Sequence, residues 1–391
     1  MFNVGLYGAN APDEAGRRPY LQQAIAKRDA DLSCLLEVGR QSDRDAIAGA
    51  ARTGAFPYAF APTTDRNTSA TDPTDATGAA ASIPTSPSCG SAVTTQELDD
   101  AYACMAASCS TIPGDQAGTI AGTTDCLSSH CAVKLAPLFA GNESQQRCFD
   151  CIADTVTSDM TYAQSKTACT TDPGPAIAFE GQNPSMILSR YPLAKTDVLV
   201  LPSTNFRRTV LYAQVQLQQG TTVDFYCGQL SSPLLDADLP YTGAYSNGDI
   251  AHGYDQEQIL QTNKLIAWVK QKSGNRPAIV TGDWHSSVAF SQNGTKVIDD
   301  LNPDTINALR GAFSQASPPS WVPTCTYCPG SVNPYNGSFN VGYAFAETYL
   351  FNWPDKATTD ESILFNQPIS TRNGSEMLSP SFGLNVRVIR P

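Results

Sequence analysis

Eight of the 12 cysteines fall between residues 89 and 169, and this clustering limits the fold more than any other feature. They are Cys89, Cys104, Cys109, Cys126, Cys131, Cys148, Cys151 and Cys169; the remaining four are Cys34, Cys227, Cys325 and Cys328. An even, high count beside only three histidines (His130, His252, His285) favours disulfides over a metal framework, and so an oxidising compartment. Cys148-x-x-Cys151 and Cys325-x-x-Cys328 form the zinc alternative, but they lie in unlike contexts. Cys325-x-x-Cys328, between prolines, reads as a local loop disulfide.

The texture on either side of the cluster is different. Residues 1–63 read as α/β: Phe2–Tyr7 alternates like a strand, Leu21, Ala24, Ile25 and Arg28 recur at helical spacing, and 31–38 is a short buried strand. Residues 64–93 are mostly Thr, Ser, Ala, Pro, Gly and Asp, which predicts a surface linker. Thr94-x-x-Glu97 is a capping box, followed by Leu98, Tyr102 and Met105 on one helical face. Short helices held by about four disulfides are expected there. The α/β texture resumes after 177, with strands near 186–188, 209–215, 223–227, 278–280 and 383–388. Residues 254–272 form a helix using Ile259, Leu265, Ile266 and Val269. The expected division is therefore one α/β domain (1–63 and 177–391) interrupted by an inserted linker and cysteine-rich helical subdomain (64–176).

Charge sharpens that division. The chain carries a net −12, of which 64–176 supplies −9, leaving the α/β part nearly neutral. This argues against a protein that coats nucleic acid through a broad basic surface. The helical segment's acidity supplies either solubility or a docking surface for a basic or calcium-bearing partner. No apolar run approaches the roughly 18 residues a membrane span needs. Asn67, Asn142, Asn293, Asn336 and Asn373 head glycosylation sequons, which fit secretion in a eukaryote and carry no meaning in a bacterium. The first strand is not preceded by a charged and then apolar leader, so the signal peptide of an exported protein is expected to lie outside this sequence.

Seven segments, in order, carry a resemblance. They are Phe2–Tyr7, Leu35–Val38, Met186–Leu193, Phe206–Tyr212, Cys227–Ser232, Ala278–His285 and Ser379–Leu384. Together they resemble the endonuclease/exonuclease/phosphatase (DNase I-like) superfamily and cover essentially all of the chain outside 64–176. The resemblance implies an α/β (α+β) fold: a four-layer α/β/β/α sandwich whose strand ends carry a divalent-metal phosphohydrolase site. It also places Cys34 and Cys227 in one sheet region, as a disulfide or as two buried thiols.

Carried over residue by residue, that site is largely lost. The resemblance implies Glu37 as metal ligand and Asp283 as the acid of Gly-Asp-x-Asn. The Asn expected after the first strand is Gly8, with Asn10 as a substitute; the His of Thr-His-Leu is Gln229; the Asn of Gly-Asp-x-Asn is His285. The C-terminal Ser-Asp-His reads Ser379-Pro380-Ser381, and the Asp expected before the last long strand is absent from Ala346–Phe351. Proline, serine and glutamine carry no proton near neutral pH. Losing a positioned acid or base costs on the order of 10²–10⁴ in rate.

Three readings follow. The leading one is an exported, largely non-catalytic binding protein with an unidentified extracellular partner. The second is an active phosphodiesterase or nuclease with a remodelled Mg, Mn or Zn site of Glu37, Asp283 and Asn10, in which Asp283 and His285 are catalytic. The third is an extracellular structural or surface-assembly component. His252 reads as a solvated loop residue; of Arg207 and Arg208, which could meet an anion, one is expected to pair within the fold. Oligomeric state is not legible.

Overall fold

The structure is a computed structural model that describes residues 1–6, 14–62, 87–91, 93–109, 126–156, 161–171, 184–204, 207–217, 220–234, 239–243, 251–317, 323–336, 340–354, 358–371 and 374–389. Gly8, Asn10, Asn67, Asn373 and most of the expected linker lie outside the described residues.

Two sheets build the α/β part. In the first, β1 (Phe2–Leu6) runs parallel to β2 (Leu32–Val38), which pairs antiparallel with β4 (Met186–Ser189), and β4 with β3 (Tyr58–Phe60). The second has the order β11 (Ser314–Gln315), β12 (Ala346–Phe351), β8 (Ala278–Asp283), β7 (Thr222–Gln229), β6 (Arg208–Gln216), β5 (Leu193–Leu201). Short hairpins β9–β10 (Phe290–Gln292, Thr295–Ile298) and β14–β15 (Ile369–Thr371, Gly374–Glu376) lie apart from both sheets. The pair β13 (Thr358–Leu364) and β16 (Gly383–Val388) reaches β1 through Met1 and Leu384.

Strand periodicity sorts side chains into three cores. Cys34, Leu36 and Ile187 face Leu211, Ala213, Phe225 and Cys227, filling the space between the sheets. Their alternates, Phe2, Val4, Leu35, Met186 and Leu188, turn outward against α1 (Glu14–Ala26) and α2 (Gln41–Arg52). On the other side Tyr212, Tyr226, Val280 and Tyr349 pack against α7 (Tyr254–Ser273) and α8 (Pro303–Ala312) through Leu265, Trp268, Val269, Ile306 and Leu309. These are the four expected layers, α/β/β/α.

Cys34 and Cys227 are bonded, which settles the alternative left open by the sequence. Both belong to the inter-sheet set by parity, so the bond crosses the sandwich. Stacked sheets lie about 10 Å apart, whereas the two Cα atoms are 5.3 Å apart, so the sheets approach closely here.

The expected capping box is present: Thr94 caps α3 (Thr95–Ser108), and Leu98, Tyr102 and Met105 are buried. After a π-helical turn (Leu127–Cys131) come α4 (Ala132–Phe139), α5 (Glu143–Val156) and α6 (Tyr162–Thr171). Their buried side chains form one cluster drawn from residues 89–169. The bonds are Cys89–Cys148, Cys104–Cys131, Cys109–Cys126 and Cys151–Cys169, so the two Cys-x4-Cys pairs bond to each other and not internally. The Cys-x-x-Cys at 148/151 is split between two bonds and that at 325/328 is a local disulfide, so the zinc alternative fails.

In α7, Leu265 and Val269 are core residues and Ile266 packs against them, but Ile259 is only half-buried. The N-terminal half of the helix instead buries Glu257, Gln258 and Gln261. Their position on the buried stripe is a helical continuation of Leu265 and Trp268; their purpose lies in the loops they hold.

Candidate functional site

Glu37 reaches the site because the backbone breaks the alternation of β2. Regular pleating would send Glu37 outward with Leu35 and Val38 inward with Leu36. Glu37 instead has φ 56°, a left-handed conformation costly for a residue with a Cβ. Val38 consequently joins the outer core, and the β1–β2 register shifts between Asn3 and Leu6. Arg44 of α2, itself buried, fixes this turn by donating to the carbonyls of Val38 (2.8 Å) and Gly39 (2.9 Å).

Gln229 and Asp283 end β7 and β8 and are directly paired in register. Their strands lie close: a Cβ on Gly282 would come within 2.2 Å of the Gly228 carbonyl oxygen, which explains glycine before Asp283. The loops beyond are held from α7. Gln258 Nε2 donates to the carbonyls of Ser231, Trp284 and His285, at 2.7, 2.9 and 2.9 Å. Gln261 Oε1 accepts from Ser231 N at 2.8 Å, and Glu257 accepts from Thr204 N at 2.7 Å.

Four of the sequence candidates come together. Gln229 Nε2 donates to Glu37 Oε1 at 2.8 Å and lies 3.5 Å from His285 Nε2. His285, also left-handed at φ 46°, places Nδ1 2.7 Å from the Leu230 carbonyl oxygen. A carbonyl can only accept, so Nδ1 carries a proton. Nε2 is 3.7 Å from Asp283 Oδ1. The other Asp283 oxygen accepts from Asn3 Nδ2 at 3.1 Å. Asn3, missed in the sequence reading, is the inward residue between Phe2 and Val4, and that parity was its signal.

Pro380 and Ser381 lie beside this group. Gly5 is left-handed (φ 61°), and a Cβ there would touch Pro380 Cδ at 3.0 Å. Ser379 Oγ donates to the Asn3 carbonyl (2.7 Å). Asn333 Nδ2 donates to the carbonyls of Ser379 and Pro380, and Asn336 Nδ2 to those of Cys328 and Pro380, all between 2.8 and 3.0 Å. Arg17, fully buried, ties the carbonyls of Gly5 and Leu378 together. Beside the carboxylates stands Tyr327, its phenol pushed up to about 12 by burial and then by the charges of Glu37 and Asp283. It belongs to an aromatic stack in which Phe345 lies between Tyr327 and Tyr343, with His285 edge-on.

The remaining candidates lie elsewhere. His252 is exposed before α7. Arg208 is buried, Arg207 half-buried, and both carry an interaction within the fold. Glu347 of the expected Asp segment faces away from the cleft, accepting from Arg310 (3.0 Å) and Tyr349.

Glu37 and Asp283 each spend one oxygen on an amide N–H, the Gln229 side-chain carbonyl oxygen is buried without a hydrogen-bond partner, and the imidazole of His285 lies beside them. Among the described residues no three His, Cys, Asp or Glu side chains are grouped to hold a metal ion.

No family model matches the sequence, and no curated protein does. Solved structures do. SmcL is 10% identical, with 98% of this chain and 95% of SmcL covered, at a TM-score of 0.51. Beta toxin from Staphylococcus aureus is 11% identical, with 98% and 97% covered, also at 0.51. An endonuclease/exonuclease/phosphatase from Beutenbergia cavernae is 14% identical over 56% of this chain and 50% of its own, at 0.35. Four layers, strand-end motifs in order and likeness along nearly the whole chain give one conclusion: this chain has the DNase I-like fold of the endonuclease/exonuclease/phosphatase superfamily.

Proposed function

We propose that this is an exported binding protein in which the cleft of a DNase I-like sandwich has been converted from a metal-dependent phosphoester-hydrolysis site into a hydrogen-bonded polar surface. The Gln229 amide is the observation that carries the reading. It donates to Glu37 Oε1 and lies 3.5 Å from His285 Nε2, at a position where the superfamily resemblance implies a proton-carrying histidine. Pro380, packed on Gly5, and Ser381, whose N–H is held by Ser379 Oγ, leave the second proton-transfer position equally inert. In this reading 1–63 and 177–391 form the binding domain, 64–176 an inserted subdomain, and six disulfides support an extracytoplasmic location. Among the described residues no helix is long and apolar enough to cross a membrane.

The test is a turnover screen of the purified protein at high concentration with Mg²⁺, Mn²⁺ and Zn²⁺ against DNA, RNA and a phosphodiester dye. Background rates with every metal are expected. Metal-dependent turnover that Glu37→Gln abolishes would overturn the proposal in favour of a remodelled catalytic site around Glu37, Asp283 and His285.

A further inference from the structure

Glu361 is a buried carboxylate with one unpartnered oxygen. It lies on β13, only 9% exposed, where that strand faces the β11–β12 edge of the second sheet. The Ser317 hydroxyl donates to it, and Ser317 Oγ is itself held by Gln315 Nε2 at 3.2 Å. Its Oε2 has no hydrogen-bond partner among the described residues. A buried charge without a partner is costly, so such a group either keeps its proton or meets a cation.

There is room for a cation beside it. Glu361 lines a cavity of about 140 Å³, close to the roughly 150 Å³ at which an engineered cavity holds benzene. The charged side chains facing it are Arg310 of α8, Glu347 of β12 and Glu361 itself. Glu347 is already answered: Arg310 Nη2 donates to its Oε1 at 3.0 Å, and the Tyr349 hydroxyl donates to its Oε2. With two carboxylates against one guanidinium, the walls carry one excess negative charge, and it belongs to Glu361.

The rest of the wall decides the kind of cation. Val288, Phe290, Ile363 and Leu384 make part of it apolar. Of the neutral oxygens, Ser317 Oγ is engaged with Gln315 and Glu361, and Thr326 Oγ accepts from Ala346 N at 3.0 Å. A hard divalent ion calls for about six or more oxygens, carboxylates foremost. A primary ammonium needs three acceptors at most, and it brings carbon for the apolar wall to cover. We propose that this cavity binds a primary alkylammonium group, its nitrogen on Glu361 Oε2 and its carbon chain on Phe290 and Ile363. A free small amine and the lysine side chain of a partner polypeptide share that chemistry. The site does not rest on the reading of the Glu37–Asp283 cleft.

Methyl NMR of the whole protein tests it, with n-propylammonium chloride as probe and the Val288 and Ile363 methyls followed. Saturable shifts at millimolar concentration are expected at pH 8. Burial, and then the charge of Glu347, holds the Glu361 carboxyl up to about 7, whereas the amine stays protonated throughout. Affinity is therefore expected to be about tenfold weaker at pH 6, because Glu361 must first lose its proton. Ammonium resting on surface carboxylates would show no such change, and a pH-independent affinity overturns the site. Glu361→Gln, which keeps the size of the side chain, is expected to weaken binding at least about tenfold. The absence of saturable shifts at pH 8, or equal binding of uncharged n-propanol, also overturns the proposal. A tighter response to K⁺, Mg²⁺ or Ca²⁺ overturns it in favour of a metal ion. The peptide acetyl-Gly-Lys-Gly-amide separates the two sources. Binding as tight as that of n-propylammonium supports the site as a lysine receptor, and binding of the free amine alone supports it as a small-amine site.

Discussion

Gln229 Nε2 and Glu37 Oε1 stand 2.8 Å apart across the mouth of the sandwich, joining the last residue of β7 to the left-handed residue of β2. This amide–carboxylate pair, with the Asn3–Asp283 hydrogen bond beside it, links two sheets that meet mainly through apolar side chains and one disulfide. A hydrogen bond to a charged group contributes about 1.5–3 kcal/mol. A double-mutant cycle of Glu37→Gln and Gln229→Leu, read by urea unfolding, is therefore expected to give a coupling of that order. Additive single effects would show that the contact contributes nothing.

The Cys34–Cys227 bond closes a loop of 193 residues and is buried at both sulfurs. Its loss by paired alanine substitution is expected to cost about 2–5 kcal/mol. Burial predicts that mild reductant at native pH opens Cys325–Cys328, whose Cys325 is half-buried, before it reaches Cys34–Cys227. Mass spectrometry after timed alkylation reads the order.

Glu361 on β13 is held up to about 7, mainly by burial and also by the charge of Glu347. The unfolded carboxyl releases its proton near the ordinary glutamate value, so between there and about 7 the folded state binds more protons. Stability should therefore fall as pH rises across that window, by roughly 3 kcal/mol, and then level off. Glu361→Gln is expected to remove this slope and to raise stability at pH 8. A parallel pH profile for the variant would assign the slope to another group.

The sequons differ in accessibility. Asn293 is exposed at the tip of the β9–β10 hairpin and Asn142 is exposed ahead of α5, whereas Asn336 is 2% exposed and spends its Nδ2 on two carbonyls. This corrects Asn336 as a glycan acceptor. Expressed through a eukaryotic secretory pathway, folded protein is expected to carry glycans at Asn142 and Asn293 and none at Asn336, as peptide mapping after deglycosylation would read.

Arg44 presents three carbonyl contacts, to Val38, Gly39 and Pro62, from a fully buried guanidinium. Arg44→Met leaves those carbonyls without donors and releases the turn that aims Glu37. A loss of about 3–5 kcal/mol is expected by thermal or urea unfolding; a near-neutral effect would mean the turn holds itself.

The sequence by itself determined many of the elements. Period-two runs such as Phe2–Leu6 and Ala278–Asp283, the capping box at Thr94 and Glu97, and the cysteine cluster are local signals, and each became the structure they describe. The order of strand-end motifs was enough to imply the four layers. The tertiary structure alone decided what the site contains. Asn3, Gln258 and Arg44 act on partners 280, 27 and 6 residues away through contacts that no spacing rule encodes. Glu37 enters the cleft only because its φ reverses the parity of β2, and the bond between Cys34 and Cys227 required two sheets to face each other. Propensity and periodicity are properties of neighbours in the chain, whereas a site is made by strand ends that meet in space.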